Sequence, residues 1–258
     1  MSIILRTQGG FCNRLRAIVS AVLWAEDLKL NLVIHWPEEP GHMACRIEEI
    51  LDTRTIPRLT SFHNGYIRNA RQVLSHSDME TTLAVHEILP SSEIRIESYS
   101  IFHNDLLHKT QRALAILRNI DVITSLKTRL NCVKEGLFNR SVTGIHIRRT
   151  DHVKCIEASP LSTFESYLDE ANRGNYYLAT DDLAVKLALK EKYKKHFIAS
   201  PIMKLGRGTK EEQINGIIDW LLLQSCSSIV ASRGSSFSEL AAWRAGIPLT
   251  LLGHEPCL

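Results

Sequence analysis

The residues able to do chemistry fall where short apolar runs end. Residues 144–151 read GIHIRRTD. Ile145 and Ile147 alternate with His146 and Arg148, the two-residue period of a β-strand, and Arg149 follows at once. Two adjacent guanidiniums at a strand end need partners, because an unpaired charge taken out of water is costly. Planar guanidiniums bind phosphate oxygens in pairs, so an anionic ligand such as a diphosphate would suit them. The alternative is a carboxylate for each, with Asp151 nearest in sequence.

Three further stretches have the same character. Gly9-Gly10-Phe11-Cys12-Asn13 runs from an apolar segment into a helical pattern, where glycines let backbone approach a ligand and a helix start favours anions. It matches neither a dinucleotide fingerprint nor a P-loop, and a plain left-handed turn also accounts for it. Ala179-Thr180-Asp181-Asp182 ends another strand. Asp181 is expected to cap the next helix, while Asp182 is a candidate ligand, acid–base group or, less favoured, metal ligand. Arg233-Gly234-Ser235-Ser236-Phe237-Ser238-Glu239 is a turn into a helix whose free N–H groups and hydroxyls suit either a phosphate or a Ser236-x-x-Glu239 capping box. Asp219 lies at the edge of an apolar helical stripe and reads, on pattern alone, as an exposed acid. No H-E-x-x-H, nucleophile elbow or catalytic Cys-His context occurs.

The elements that carry these stretches alternate. Strands are expected at Ile3–Arg6, Asn31–Trp36, Ile94–Tyr99, Val142–Arg148, Tyr176–Ala179, His196–Ala199, Ser228–Ala231 and Pro248–Leu252. Helical patterns run from the first glycine turn to about Leu28 and, in two or more pieces, from Asp105 to about Gly136. Ser162-x-x-Glu165 and Thr209-x-x-Glu212 read as capping boxes, and Gly246 as a helix stop. Ile214, Ile217, Ile218, Leu221 and Leu222 share one helical face. Residues 37–90 carry polar clusters without clear period. Strands alternating with helices predict an α/β chain with parallel sheets. Two halves are expected, residues 1–135 and 136–258, joined softly near 125–141.

A chain of 258 residues can bury a full core. Its net charge of +3, with no lysine or arginine run, argues against a nucleic-acid partner. The six cysteines are scattered without a C-x-x-C pair, which predicts free thiols and a reducing compartment. Asn139-Arg140-Ser141 matches a glycosylation acceptor, but no export signal accompanies it. No apolar run reaches the length of a membrane span, and the N-terminal run is too short for a signal peptide, so a cytoplasmic protein is expected.

Taken together, the motifs resemble the GDP-fucosyltransferase superfamily, which includes protein O-fucosyltransferases, core alpha-1,6-fucosyltransferases and nodulation fucosyltransferases. The resemblance rests on Gly9-Gly10-Phe11-Cys12-Asn13-Arg14-Leu15-Arg16, on His146-Ile147-Arg148-Arg149-Thr150-Asp151, on Leu178-Ala179-Thr180-Asp181-Asp182, and on Asp219 with Ser235-Ser236-Phe237-Ser238 downstream. It implies a GT-B-like fold of two Rossmann-type halves, an N-terminal acceptor side and a C-terminal donor side, with the nucleotide-sugar in the cleft. It also implies an inverting, metal-independent transfer, fucose from GDP-fucose being favoured, onto a glycan or protein hydroxyl, with no cofactor.

By position, Arg149 would contact the β-phosphate, with His146 and Arg148 beside it. Asp182 and Asp219 would hold the nucleoside end, and Ser235, Ser236 and Phe237 the phosphates or base. Gly10, Asn13 and Arg14 would face the diphosphate from the N-terminal half. Asp151 or Glu157 would take the acceptor proton. Two alternatives stay open: the same reaction with a UDP- or dTDP-linked pentose or deoxysugar, and a non-catalytic nucleotide- or glycan-binding module.

Overall fold

Ile3, Leu5 and Thr7 are buried alternately along the first strand, which is what a strand covered on one face requires. The structure is a computed structural model that describes residues 2–39, 41–64, 93–98, 111–135, 141–171, 174–194, 196–198, 202 and 204–254. Expected strand ends at Tyr99 and Ala199, the stretch 105–110, Gly136, Asn139, Arg140 and Cys257 lie outside the described residues, as do residues 65–90 of the unpatterned middle.

The chain divides into two compact units, Met1–Thr124 and Ser125–Leu258. That boundary precedes the expected division after residue 135, because the helix that begins at Thr124 belongs with the second unit. Arg129 of this helix hydrogen-bonds the buried Asn215 side chain there.

In the first unit β1 (Ser2–Thr7) leads through a glycine turn into α1 (Phe11–Asp27), then β2 (Asn31–His35), β3 (Leu59–His63), β4 (Glu93–Ser98) and α2 (Gln111–Asn119). All pairings are parallel, in the order β3-β2-β1-β4. The strand at Leu59–His63 was not legible in LTSFH, whose polar residues hide the period. Two short 3-10 turns, Ile47–Glu49 and Thr53–Thr55, precede it. Helix α1 packs on β1 and buries residues nearly all round, including Leu15, Ile18, Val22 and Leu23.

The second unit contains α3 (Thr124–Glu135), β5 (Thr143–Ile147), α4 (Val153–Ala158), α5 (Leu161–Ala171), β6 (Tyr176–Thr180), α6 (Leu183–Lys192), β7 (Phe197–Ile198), α7 (Lys210–Leu223), β8 (Ser228–Ser232), α8 (Ser236–Ala245) and β9 (Leu249–Leu252). Its five parallel strands run β7-β6-β5-β8-β9. Ile145, Ile147, Tyr176, Leu178 and Val230 form a core with Phe164 and Leu168 of α5 and Val185 and Leu189 of α6. Their alternates, His146 and Tyr177 among them, therefore face the other side of the sheet.

Several local expectations need correction. The Thr209 box forms as expected, both halves present, and Gly246 ends α8 in the left-handed region at φ 72°. The Ser162 box does not form, because α5 already starts at Leu161 and Ser162 is inside it. The Ser236 box does not form either: Ser235 takes the N-cap position and Ser236 is the first helical residue. Asp182, not Asp181, caps α6, its Oδ1 accepting from the N–H groups of Ala184 and Val185. Asp219 is buried, not exposed. Among the described residues no helix is long and apolar enough to cross a membrane.

Candidate active site at the strand ends of the second sheet

In the order β7-β6-β5-β8-β9 the chain leaves β5 toward β6, whereas β8 leads away to β9. Connections that diverge in this way leave a crevice outside the carboxyl ends of the two strands, where open parallel sheets bind ligands. His146, Arg148 and Arg149 lie at one side of it. At the other, β8 ends in Ser232 and turns through Arg233 and Gly234 into α8. The two sides are tied together by the Arg148 N–H, which donates to Ser232 Oγ at 3.1 Å.

The two adjacent arginines have different partners. Arg148 reaches Asp181 Oδ2 at 2.8 Å and also hydrogen-bonds Asp151 Oδ1, so both its terminal nitrogens meet carboxylates. Arg149 has only its backbone engaged: its N–H donates to Asp181 Oδ1 at 2.7 Å. Among the described residues its side chain makes no hydrogen bond or ion pair, and its Nη1 is buried without a partner. A buried donor left unmade costs about 1–3 kcal/mol, more when charged.

Asp181 organises this loop. Thr150 Oγ1 adds a third donor at 2.7 Å. Burial works against its charge, but Arg148, Thr150 and the Arg149 N–H outweigh it and hold the carboxyl below its usual range. Outside Asp181, the chain of charges continues from Asp151, whose Oδ2 meets Arg207 Nη1 at 3.0 Å.

His146 is buried and its ring stacks on Phe237 of α8 at 4.8 Å between centroids. Burial, reinforced by Arg148 and Arg207, pushes its pKa down to about 3, so the imidazole is neutral near pH 7. Its Nδ1 has no hydrogen-bond partner among the described residues. Ser235 sits at the N-cap of α8 without a side-chain cap bond. A helix start without such a cap presents orphan N–H groups and the positive end of its dipole, which favour an anion. Arg149, His146, Phe237 and the α8 start thus gather at one strand-end crevice.

Other expected site residues are placed differently. Arg14 of the first unit is wholly buried and held by protein: Nε donates to Gly9 O at 2.7 Å, Nη1 to Pro37 O at 2.9 Å, and Nη2 meets Glu39 at 3.1 Å. It also stacks on Trp36, and burial lowers its pKa to about 10. It braces the turn in which Gly10 caps α1 and Asn13 lies half-buried in the first helical turn. Asp182 is engaged as a cap. Asp219 accepts a hydrogen bond from the Tyr177 hydroxyl, behind the strand ends, and its charge supports that of the buried Lys186. Tyr177 pairs with Gly144, two positions before His146 on β5, so Asp219 is tied to the sheet's interior. Glu157 is exposed on α4 and makes no ion pair among the described residues.

Sequence reading missed Arg207 and the roles of Asp181, Ser232 and Ser159. Ser159 Oγ accepts the Arg233 N–H at 2.9 Å and donates to Leu252 O at 2.7 Å, bracing the turn before α8. Only Arg207 carried a signal, its position between two glycines just before a capping box.

No protein-family model matches the chain, and no curated protein matches it in sequence. Solved structures do. The chain resembles NodZ fucosyltransferase from Bradyrhizobium with a TM-score of 0.65 at 18% identity, over 93% of this chain and 90% of that one. POFUT1 in complex with GDP-fucose matches at 0.59 and 10% identity, over 97% and 98%. A mutant of Arabidopsis thaliana FUT1 in complex with GDP matches at 0.64 and 12% identity, over 96% and 69%. The class is thereby defined by fold: mixed α/β with two parallel sheets, GT-B-like. The structures named above share that fold with the chain, and the likeness is one of fold.

Proposed function

We propose that this protein is a glycosyltransferase that moves a sugar from a nucleoside diphosphate, fucose from GDP-fucose being favoured, onto a glycan or protein hydroxyl. The observation that carries the reading is the contrast between the two arginines. Arg148 is neutralised by carboxylates, whereas the side chain of Arg149 has no partner among the described residues and has one nitrogen buried at the strand-end crevice. The GDP and GDP-fucose complexes of the structural neighbours support the choice of donor.

In such a transfer the anomeric centre passes through an oxocarbenium-like state while negative charge grows on the departing diphosphate. A preorganised guanidinium stabilises that charge without reorganising, and the start of α8 adds oriented N–H dipoles. His146, kept neutral, adds no charge and stacks with Phe237 as an aromatic wall. Asp151 or Glu157 takes the proton of the attacking hydroxyl, which inverts the anomeric centre in one displacement.

Transfer without a metal fits the chemistry of the acids. Asp181 is engaged by Arg148 and two further donors, and Asp182 by two helix amides, so neither presents an open carboxylate pair. The test is release of fucose from GDP-fucose, alone and with candidate acceptors, in the presence of EDTA. Activity that vanishes with EDTA and returns with Mg²⁺ or Mn²⁺ would overturn the metal-independent part. Nucleotide binding without hydrolysis or transfer would identify a binding module instead.

A further inference from the structure

Three backbone segments meet at Ser159, the residue that ends α4. Its side chain is wholly buried and bonded on both sides, accepting from the Arg233 N–H at 2.9 Å and donating to Leu252 O at 2.7 Å. One residue earlier, Ala158 O accepts from the His254 N–H at 2.8 Å. Gly253, at φ +96°, makes that approach possible, since a side chain there would begin 1.9 Å from Ala158 O. Arg233 Nε closes the junction on Gly253 O at 3.0 Å. The last turn of α4, the end of β9 and the turn into α8 are thus packed backbone to backbone.

Segment 148–159 holds the turn into α8 at two successive residues. Its first residue, Arg148, donates its N–H to Ser232 Oγ at 3.1 Å, and its last, Ser159, accepts the N–H of Arg233. Between them the segment carries Arg149, and His152 Nδ1 caps α4 by accepting from the Cys155 N–H at 3.1 Å. A methyl group on Gly234 would touch Cys155 Sγ at 3.4 Å, so α4 itself lies against the turn. Helix α8 has no side-chain cap bond at Ser235, and the turn before it sets where it begins. In its first turn Phe237 stacks on His146, a side chain only 4% exposed whose Nδ1 has no partner among the described residues. One segment therefore both presents the Arg149 guanidinium and fixes the start of α8.

Resting on the nucleotide-sugar reading above, we propose that Ser159 is a positioning residue for the donor diphosphate. By fixing the Arg233 N–H it sets the start of α8 against Arg149, so that the helix dipole and the guanidinium serve one diphosphate. Without the hydroxyl, the Arg233 N–H and Leu252 O lose a shared buried partner, and the turn relaxes to find another. The Arg149 side of the site stays where Asp181 holds it, and the α8 side shifts.

The test is calorimetric titration of the wild type, Ser159→Ala, Ser159→Cys and Arg149→Ala with GDP and with guanosine. Ser159→Ala is expected to weaken GDP by about 10-fold, the worth of one charge-assisted bond. Guanosine, which lacks phosphate, should change less than about twofold, Phe237 being held on His146. Ser159→Cys fills the site with a weak donor and acceptor and should fall between Ser159→Ala and the wild type. If Ser159→Ala does not fold, Ser159→Cys decides by the same comparison. Variants that melt lower yet bind GDP as the wild type does overturn the proposal, because the junction is then structural only. Equal losses for GDP and guanosine also overturn it, because they report general loosening. GDP affinity lost in Arg149→Ala but kept in both Ser159 variants overturns this proposal alone. Wild-type protein that binds no nucleoside diphosphate overturns the glycosyltransferase reading and this one with it.

Discussion

Asp181 and Arg149 are joined through backbone: the Arg149 N–H donates to Asp181 Oδ1 at 2.7 Å, while Asp181 Oδ2 meets Arg148 at 2.8 Å. One carboxylate thus fixes the path of the chain at Arg149 and occupies the neighbouring arginine. Asp181→Ala should cost about 3 kcal/mol, as when one member of a buried pair is removed. Asp182→Ala should cost about 1 kcal/mol, the loss of a helix cap. Asp182→Ser keeps a capping oxygen and should restore most of that, with nucleotide affinity retained. Chemical denaturation orders the three variants. Asp182→Ala more damaging than Asp181→Ala would contradict these roles.

Arg149 and Arg148 should separate function from stability. Arg149→Ala removes a donor aimed at the leaving group, a loss of about 10²–10³ in rate. Because its side chain has no protein partner among the described residues, stability should hardly change. Arg149→Lys should fail almost as badly, since the planar fork is gone. Arg148→Ala should instead destabilise the fold, leaving Asp151 and Asp181 without their shared cation. Steady-state kinetics beside thermal melts gives both readings. Near-normal turnover by a folded Arg149→Ala protein would end the phosphate-clamp assignment.

How much of this was legible in the sequence depends on what each inference needed. Alternation in GIHIRR located β5, and Thr209-x-x-Glu212 located the start of α7, because each signal is local. Caps elsewhere slipped by one residue: Ser235 took the place expected of Ser236, and Asp182 that of Asp181. Adjacent like residues offer the same oxygen to the same amides, and packing chooses between them. Asp219, on α7, was misread because its partner, Tyr177, lies far away in sequence on β6. The difference between Arg148 and Arg149 was invisible for the same reason. Both arginines have Asp151 nearby in sequence, but only the Arg148 guanidinium meets Asp181 in space.

The neutral, buried imidazole of His146 predicts acid sensitivity. The unfolded chain binds a proton there near its ordinary value of about 6.5, the folded chain only near pH 3. Between those values the unfolded state holds more protons, so stability rises with pH and falls on acidification. At pH 5 the cost is about 2 kcal/mol relative to pH 7. Asp181 acts in the same direction but lower, its contribution disappearing as pH falls through its depressed pKa. His146→Asn should flatten the melting curve between pH 7 and 5, whereas Asp181→Asn should act mainly below that. A wild-type melting temperature independent of pH from 7 to 5 would contradict a buried neutral His146.

The cysteines give a check on compartment and burial together. Cys12, Cys45, Cys132, Cys155 and Cys226 are free, and of these only Cys132 is exposed. Burial pushes the Cys155 and Cys226 thiols up to about 11 and 12, which suppresses the reactive thiolate further. Brief alkylation of native protein, read by peptide mapping, should label Cys132 well ahead of the other four. Denatured protein isolated without reductant should titrate all six thiols of the sequence. Four or fewer would indicate a disulfide and an oxidising compartment.

The last prediction concerns the base, where fold and motif say different things about Asp219. A bound nucleotide stabilises the native state by about 2.7 kcal/mol at a hundredfold excess over its dissociation constant. For a chain of this size that is a melting shift of order 5–10 °C. GDP should shift the melting point further than UDP at equal concentration, as a guanine site requires. Both nucleotides share the diphosphate, so Arg149→Ala should lower both shifts together. Asp219 is bonded to the Tyr177 hydroxyl and is buried behind the strand ends. Asp219→Asn should therefore lower the melting point of the free protein yet leave the gap between GDP and UDP unchanged. A gap that closes in Asp219→Asn would return this residue to the nucleoside, as the motif resemblance implies. A larger shift with UDP would replace guanine by uracil and leave the transferase reading in place.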